Sequence, residues 1–311
     1  MPAPDGRLVP RPRARYNLAV KIGINLPVMV PGLDRATVLE WCRRIDAGAF
    51  STLAVGERNT FPNPEALVAM SVAAAVTERV QLAFTVLVSP LHAPLVLAKQ
   101  VATLDVLSGG RLIVGLGVGA REDDYRAAGA PFDGKRLGRL EADAALMRRA
   151  WAGERVVEGA HPIEPRPLQP GGPKIWAGSL LPQSIRRAAR WADGICGFSF
   201  APSADEIALQ FEGARVAWRD QGRAQPPRLV TSFWFALGAE ADRRMDEYLR
   251  RYLGFFGDHD AEQLRAMCQV RSATALRDAV KMVRDLGADE LLLVPTTSDP
   301  DELSRLAVAL A

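Results

Sequence analysis

Short apolar runs alternate with amphipathic stretches along almost the whole chain. The runs fall at 20–26, 52–55, 80–88, 112–118, 174–177, 194–198, 229–237 and 290–294. They are continuous rather than alternating in polarity, as in parallel strands covered on both faces. Between them the apolar spacing becomes helical: in 94–107, Leu97, Val101 and Leu104 share one side, with Lys99 and Gln100 on the other. Helix starts are marked too. Asn63-Pro64-Glu65 reads as cap, first-turn proline and first-turn acid, and Asp299-Pro300-Asp301-Glu302 resembles a capping box with proline at the first helical position.

One junction recurs. Ala47-Gly48-Ala49-Phe50, Ala192-Asp193-Gly194 and Leu286-Gly287-Ala288-Asp289 each read as a helix end, a glycine turn and a buried strand. Eight such units predict an α/β fold, a (β/α)8 TIM barrel with insertion loops, as one domain over 20–311. A doubly wound sheet fits the first half, but it usually carries GxGxxG after its first strand, where this chain has Asn25-Leu26-Pro27. Two segments exceed a minimal unit: a Pro- and Gly-rich stretch at 153–172, read as an excursion or lid, and a polar helix-like stretch at 254–273. Loops of this size are often functional. Residues 1–19 lack any apolar period. Arg7, Arg11, Arg13 and Arg15 alternate there with Pro2, Pro4, Pro10 and Pro12, which predicts a flexible N-terminal arm.

With 48% hydrophobic and 24% charged residues the chain has enough apolar material for a large core. A net charge of +3 is too small an excess for a nucleic-acid partner, though it suits an acidic small molecule. Three cysteines without CxxC spacing argue against a disulfide framework and for a reducing compartment. No apolar run resembles a secretory h-region or a bilayer span, so the expected location is cytoplasmic, with no membrane partner. The histidines, His92, His161 and His259, form no metal-ligand spacing. Cys196 on a strand reads as packing, and neither Ser89 nor Ser179 sits in a GxSxG elbow.

The most informative window is 80–119: strand, loop, helix, tight glycine turn, strand, glycine-rich exit. Ser108-Gly109-Gly110-Arg111 falls at the N-terminal face of a barrel, where position implies stability. Gly115, Gly117 and Gly119 fall at the opposite end, where glycine lets backbone amides approach a ligand. This window, continued by Ala120-Arg121-Glu122-Asp123-Asp124-Tyr125 and Ala128-Gly129-Ala130-Pro131-Phe132, resembles the luciferase-like monooxygenase superfamily, and more narrowly its F420-dependent oxidoreductase branch. Leu104-Asp105-Val106-Leu107-Ser108-Gly109-Gly110-Arg111 is the most recognisable stretch. Pro173-Lys174-Ile175-Trp176-Ala177-Gly178 and Ala188-Ala189-Arg190-Trp191-Ala192-Asp193-Gly194 match its fifth unit, and Leu286-Gly287-Ala288-Asp289 its eighth.

The resemblance implies a flavin-type cofactor at the C-terminal mouth, the deazaflavin F420 or, alternatively, FMN. It puts a bulge with a non-prolyl cis peptide, which props the ring, at Thr85–Val86, and the cofactor phosphate at Gly178, Ser179 and Leu180, ahead of a helix signalled by Pro182. The free N–H groups of a helix start suit an anion on independent grounds; Ser184 lies one turn further in. Gly117 and Gly119 flank the ligand-facing exit of the fourth strand. Arg121 there binds a phosphate or the carboxylate-rich tail of F420, or else pairs with Glu122, Asp123 or Asp124. Tyr125 packs on the ligand or fills core. Glu57 and Arg58 follow the second strand, where relatives carry an acid and a histidine. Glu57 is the candidate proton donor or acceptor, with an ion pair to Arg58 as the alternative. The family's sugar-phosphate dehydrogenases carry a catalytic glutamate where this chain has Ala120. That departure and Arg58 argue against glucose 6-phosphate oxidation. The implied reaction is hydride transfer between F420 and a small organic substrate. The alternatives are an FMN-dependent monooxygenase served by a separate flavin reductase, and a non-catalytic flavin-binding protein. The family also implies that the chain can pair as a homodimer.

Overall fold

A computed structural model describes residues 20–311; the predicted arm at 1–19 lies outside the described residues. The eight apolar runs become eight strands: β1 Lys21–Asn25, β2 Thr52–Val55, β3 Gln81–Val88, β4 Leu112–Gly117, β5 Lys174–Ala177, β6 Gly194–Cys196, β7 Arg228–Phe235 and β8 Glu290–Pro295. Each pairs in parallel with the next, and β8 returns to β1, so the sheet is a closed barrel. The helices between them are α1 Arg35–Ala47, α2 Ala66–Val76, α3 Pro94–Leu107, α4 Glu122–Ala127, α5 Arg136–Trp151, α6 Pro182–Ala188, α7 Ala204–Asp220, α8 Ala241–Leu253, α9 Asp258–Met267, α10 Ala273–Asp285 and α11 Asp301–Leu310. Among the described residues, no helix is long and apolar enough to cross a membrane.

The apolar pattern dictates this packing. α1 starts where Asp34 accepts the Thr37 N–H at 2.8 Å, and it turns Leu39, Trp41, Cys42 and Ile45 inward. In α3, proline opens the helix and Leu97, Val101 and Leu104 are buried, as their spacing predicts. The main core lies between helices and strands. A separate cluster draws Ala54, Ala83, Ile113, Trp176, Cys196, Val230 and Leu292 one each from β2 to β8, filling the barrel's interior. Cys196 is therefore packing; burial pushes its thiol up to about 12.

Two helix starts differ from the predicted ones. α2 is capped by Glu65, whose carboxylate accepts the Val68 N–H, while the Asn63 amide donates to the carbonyls of Arg58 and Pro64. At α11, Asp299 does accept the Asp301 N–H, but Glu302 does not reach back. It is fully buried and takes the Leu237 N–H at 2.6 Å, a donor from the chain leaving β7 that has no sheet partner. A tertiary donor outcompeted the local one.

The Ser108-Gly109-Gly110-Arg111 turn sits at the N-terminal face. Both glycines have positive φ, +70° and +78°, and Arg111 clamps the turn to the carbonyls of Val80 and Thr77. The 153–172 excursion packs on this same end. Asp105 accepts the Leu168 and Gln169 N–H groups and the Gln169 amide, at 2.8, 3.1 and 2.7 Å. It is a strap under the barrel rather than a lid, because it joins the lower end of α5 to the lower end of β5. The 254–273 stretch, by contrast, follows β7 at the upper end and brings Phe255 and Phe256 over the mouth.

Candidate active site

The upper end of β3 is irregular. Phe84 pairs with Val114 and Leu87 with Leu116, so Thr85 and Val86 together stand against Gly115 alone, a β-bulge. The Thr85–Val86 peptide is cis. The Thr85 hydroxyl donates to Asn25 Oδ1 at 2.7 Å. Glycines make room for this bulge. A Cβ on Gly115 would lie 2.1 Å from the Phe84 carbonyl oxygen, one on Gly117 2.7 Å from Val86 Cγ2, and one on Gly178 2.8 Å from Val86 Cγ1. Gly115 and Gly117 are thus turned to the bulge rather than to open space. Of the three exit glycines only Gly119, at φ +60°, lines the mouth.

A cavity of about 380 Å³ opens over this bulge, within the usual range for small-molecule sites, roughly 300–1,000 Å³. Its floor includes Thr85 and Val86, and Phe198, Phe200, Trp234 and Tyr252 form an aromatic wall, with Phe198 and Trp234 ring centroids 4.5 Å apart. A lobe of about 80 Å³ continues below, past Ser232 and Tyr248. Burial raises the Tyr248 phenol well above its ordinary value, so it stays a neutral hydroxyl. A larger cavity of about 710 Å³ lies at the N-terminal end, where Glu290 accepts the Ser51 and Thr52 hydroxyls and faces Arg228 at 3.3 Å.

Glu57, only 8% exposed, lines the upper cavity just beyond β2. One carboxylate oxygen accepts the Val88 N–H at 2.6 Å, and the other lies 2.8 Å from His92 Nε2. Its partner is therefore His92 and not Arg58. The chain leaving β3 carries both the N–H and the imidazole to the carboxylate. Burial lowers the imidazole pKa, but the hydrogen bond and charge of Glu57 outweigh it and hold His92 above its ordinary 6.5.

Two arginines share the wall without adequate partners. Arg58 is 6% exposed; its Cζ lies 3.8 Å over Phe61 and 5.0 Å from Tyr252, and its Nε and Nη1 are buried with no hydrogen-bond acceptor. Burial, with the like charge of Arg121, pushes its pKa down to about 10. Arg121 Cζ lies 4.0 Å over Phe255. Its Nε is 3.5 Å from Asp124 Oδ2, an ion pair without hydrogen-bond geometry. Asp124 is thus the one acid of its trio that faces Arg121, while Asp123 pairs with Arg126. The other Asp124 oxygen accepts from the Asn59 and Thr60 N–H groups and the Thr60 hydroxyl at 2.7–2.8 Å, tying the loop after β2 to α4. Tyr125, 1% exposed, both lines the cavity and donates to the Val118 carbonyl at 2.6 Å.

At the β5–α6 junction, Leu180 lines the cavity and Ser179 is buried, while the Gly178 N–H donates to the Leu116 carbonyl at 2.8 Å. The Ser184 hydroxyl donates to the Leu181 carbonyl. Ala120 leaves its stretch of wall without an acid. The sequence reading missed the aromatic wall, although aromatics at the C-terminal ends of barrel strands, such as Trp234, were a usable signal.

The unpaired charges, the acid–imidazole pair and the aromatic wall all gather at the C-terminal ends of the strands, where barrel enzymes place their chemistry. Residues 20–306 match the model of the luciferase-like monooxygenase family, and the chain belongs to that family. An uncharacterised protein of Mycobacterium tuberculosis is 33% identical over 170 residues, 52% of this chain and 59% of that protein. The F420-dependent glucose-6-phosphate dehydrogenase of Beutenbergia cavernae is 38% identical over 144 residues, 43% of this chain and 42% of that protein. The chain thus spans about half the length of these sequence relatives. An F420-dependent secondary alcohol dehydrogenase, solved with an F420–acetone adduct, superposes with a TM-score of 0.77 over 94% of this chain and 99% of its own; at 15% identity that likeness is one of fold. Family relatives include F420-dependent enzymes and flavin-dependent monooxygenases.

Proposed function

We propose that the protein is an F420-dependent oxidoreductase that transfers a hydride between the deazaflavin and a small organic substrate at the C-terminal mouth. The observation that carries this reading is one cavity combining an apolar, aromatic-walled space with the buried, under-paired Arg121 guanidinium on its β4 side. Such a donor set fits a planar ring bearing an anionic arm. When bound, the cofactor supplies the hydride chemistry.

The chain's own residues position and shield. Thr85 and Val86 form the shelf under the ring, held by Asn25 and backed by Gly117 and Gly178. Arg121, Gly119, Ser179 and Leu180, on the β4 and β5 side, receive the anionic arm. The aromatic wall keeps water from the reacting face. Glu57, among the described residues the only carboxylate besides Asp124 on the cavity wall, shares a proton with His92 at Oε1 and is the group that delivers or accepts one there.

Fluorescence titration of the purified protein with F420, FMN and FAD, followed by absorbance of the bound cofactor during incubation with small alcohols, ketones and acids, tests this. Saturable F420 binding with a substrate-dependent absorbance change supports it. Tight FMN binding without F420 binding replaces it with the monooxygenase reading, and binding without turnover with a flavin-carrier role.

A further inference from the structure

Arg58 is a buried cation whose Nε and Nη1 find no acceptor among the described residues. The nearby carboxylates are committed elsewhere: Glu57 to Val88 N–H and His92, Asp124 to Asn59 and Thr60. The like charge of Arg121 repels it more strongly than the Asp124 carboxylate attracts it. A buried, unpaired guanidinium is costly, and stacking on Phe61 and Tyr252 compensates only in part. Those two rings, with centroids 5.9 Å apart and nearly perpendicular, also fix the guanidinium plane. What remains is an under-paired guanidinium on the cavity wall, a planar cation of the kind that recognises a carboxylate.

From this arrangement we propose that Arg58 anchors an anionic group of the substrate, and that the substrates are small carboxylic acids with an apolar body. The inference rests on the cofactor reading in one respect, that the cofactor's own anion lies toward β5. Arg58 follows β2, three strands round the barrel from β5. The space beside it is bounded by Trp234, Tyr252, Phe198 and Phe200, which favours an apolar or aromatic body over a sugar. A carboxylate there also relieves the repulsion between Arg58 and Arg121.

The same chemistry could be supplied by the cofactor's arm, and the experiment separates the two sources. The full chain is titrated by calorimetry with benzoate, phenylacetate and cyclohexanecarboxylate, and with neutral benzamide, with and without F420 or FMN; riboflavin, which lacks the phosphate, is titrated alongside. The comparison is with Arg58→Gln and Arg58→Lys, and melting curves check folding. At least one acid is expected to bind about tenfold or more tightly than benzamide. Arg58→Gln abolishes that preference, Arg58→Lys keeps part of it, and cofactor affinity changes less than about twofold. Acids that bind no better than benzamide, or a preference that survives Arg58→Gln, overturn the proposal. It is also overturned if Arg58→Gln weakens FMN or F420 but not riboflavin, which assigns the site to the cofactor's anion. Failure of all cofactor titrations beside intact acid binding refutes the cofactor reading and leaves the Arg58 anchor standing.

Discussion

The contact between Gly117 and the bulge can be probed by a double-mutant cycle. In Gly117→Ala the new Cβ arrives 2.7 Å from Val86 Cγ2, short of the 3.4 Å at which ordinary contact begins; its next neighbours, Val86 Cβ and the Gly178 carbonyl, are at 3.7 and 3.8 Å. The clash is therefore with one side-chain methyl, and its cost is about 1–3 kcal/mol. Val86→Ala removes two half-buried methyl groups and costs about 1 kcal/mol. In the double variant the offending methyl is gone, so the total falls below the sum of the singles by about 1–2 kcal/mol. Gly115→Ala is the contrast. Its Cβ would sit 2.1 Å from the Phe84 carbonyl oxygen, which trimming Val86 cannot move, so the loss exceeds about 4 kcal/mol with or without Val86→Ala. Urea unfolding reads these values from the midpoint at constant m. Additivity of Gly117→Ala and Val86→Ala within about 0.5 kcal/mol, or equal rescue of Gly115→Ala, refutes the reasoning.

The Glu57–His92 pair makes stability depend on pH. Because the folded-state pKa of His92 is raised, its contribution is full below the unfolded value of about 6.5 and is lost as pH rises through the folded pKa. His92→Gln should thus be most destabilising near pH 6 and progressively milder in alkaline buffer; a penalty that grows with pH contradicts the pairing. At the other end of the barrel, Asp105→Ala removes the acceptor for three hydrogen bonds and costs about 2–4 kcal/mol. Limited proteolysis should then cut within 153–172 while cofactor affinity stays unchanged, and altered cofactor affinity would mean that the strap reaches the site after all.

The barrel was legible because each strand is an uninterrupted apolar run, and such runs depend on burial alone. The position of the irregular strand end at Thr85–Val86 was also legible, through resemblance. What escaped was whatever depends on which strands become neighbours. Glu57 and His92 are 35 residues apart and meet only because β2 and β3 are adjacent, whereas Glu57 and Arg58, next to each other in sequence, point to different partners. Gly117 looked like space left for a ligand because a sequence does not show that Val86 already occupies that space. Glu302 looked like a local cap because its tertiary donor, Leu237 N–H, is 65 residues away.

The most direct test of the central claim is a crystal structure of the protein grown with F420. Our account predicts the deazaflavin ring on the Thr85–Val86 shelf beside Trp234, with its anionic arm toward Arg121 and Leu180. Density for the ring in the lower cavity between Lys21 and Arg228, or aromatic side chains closed over an empty mouth, would contradict it.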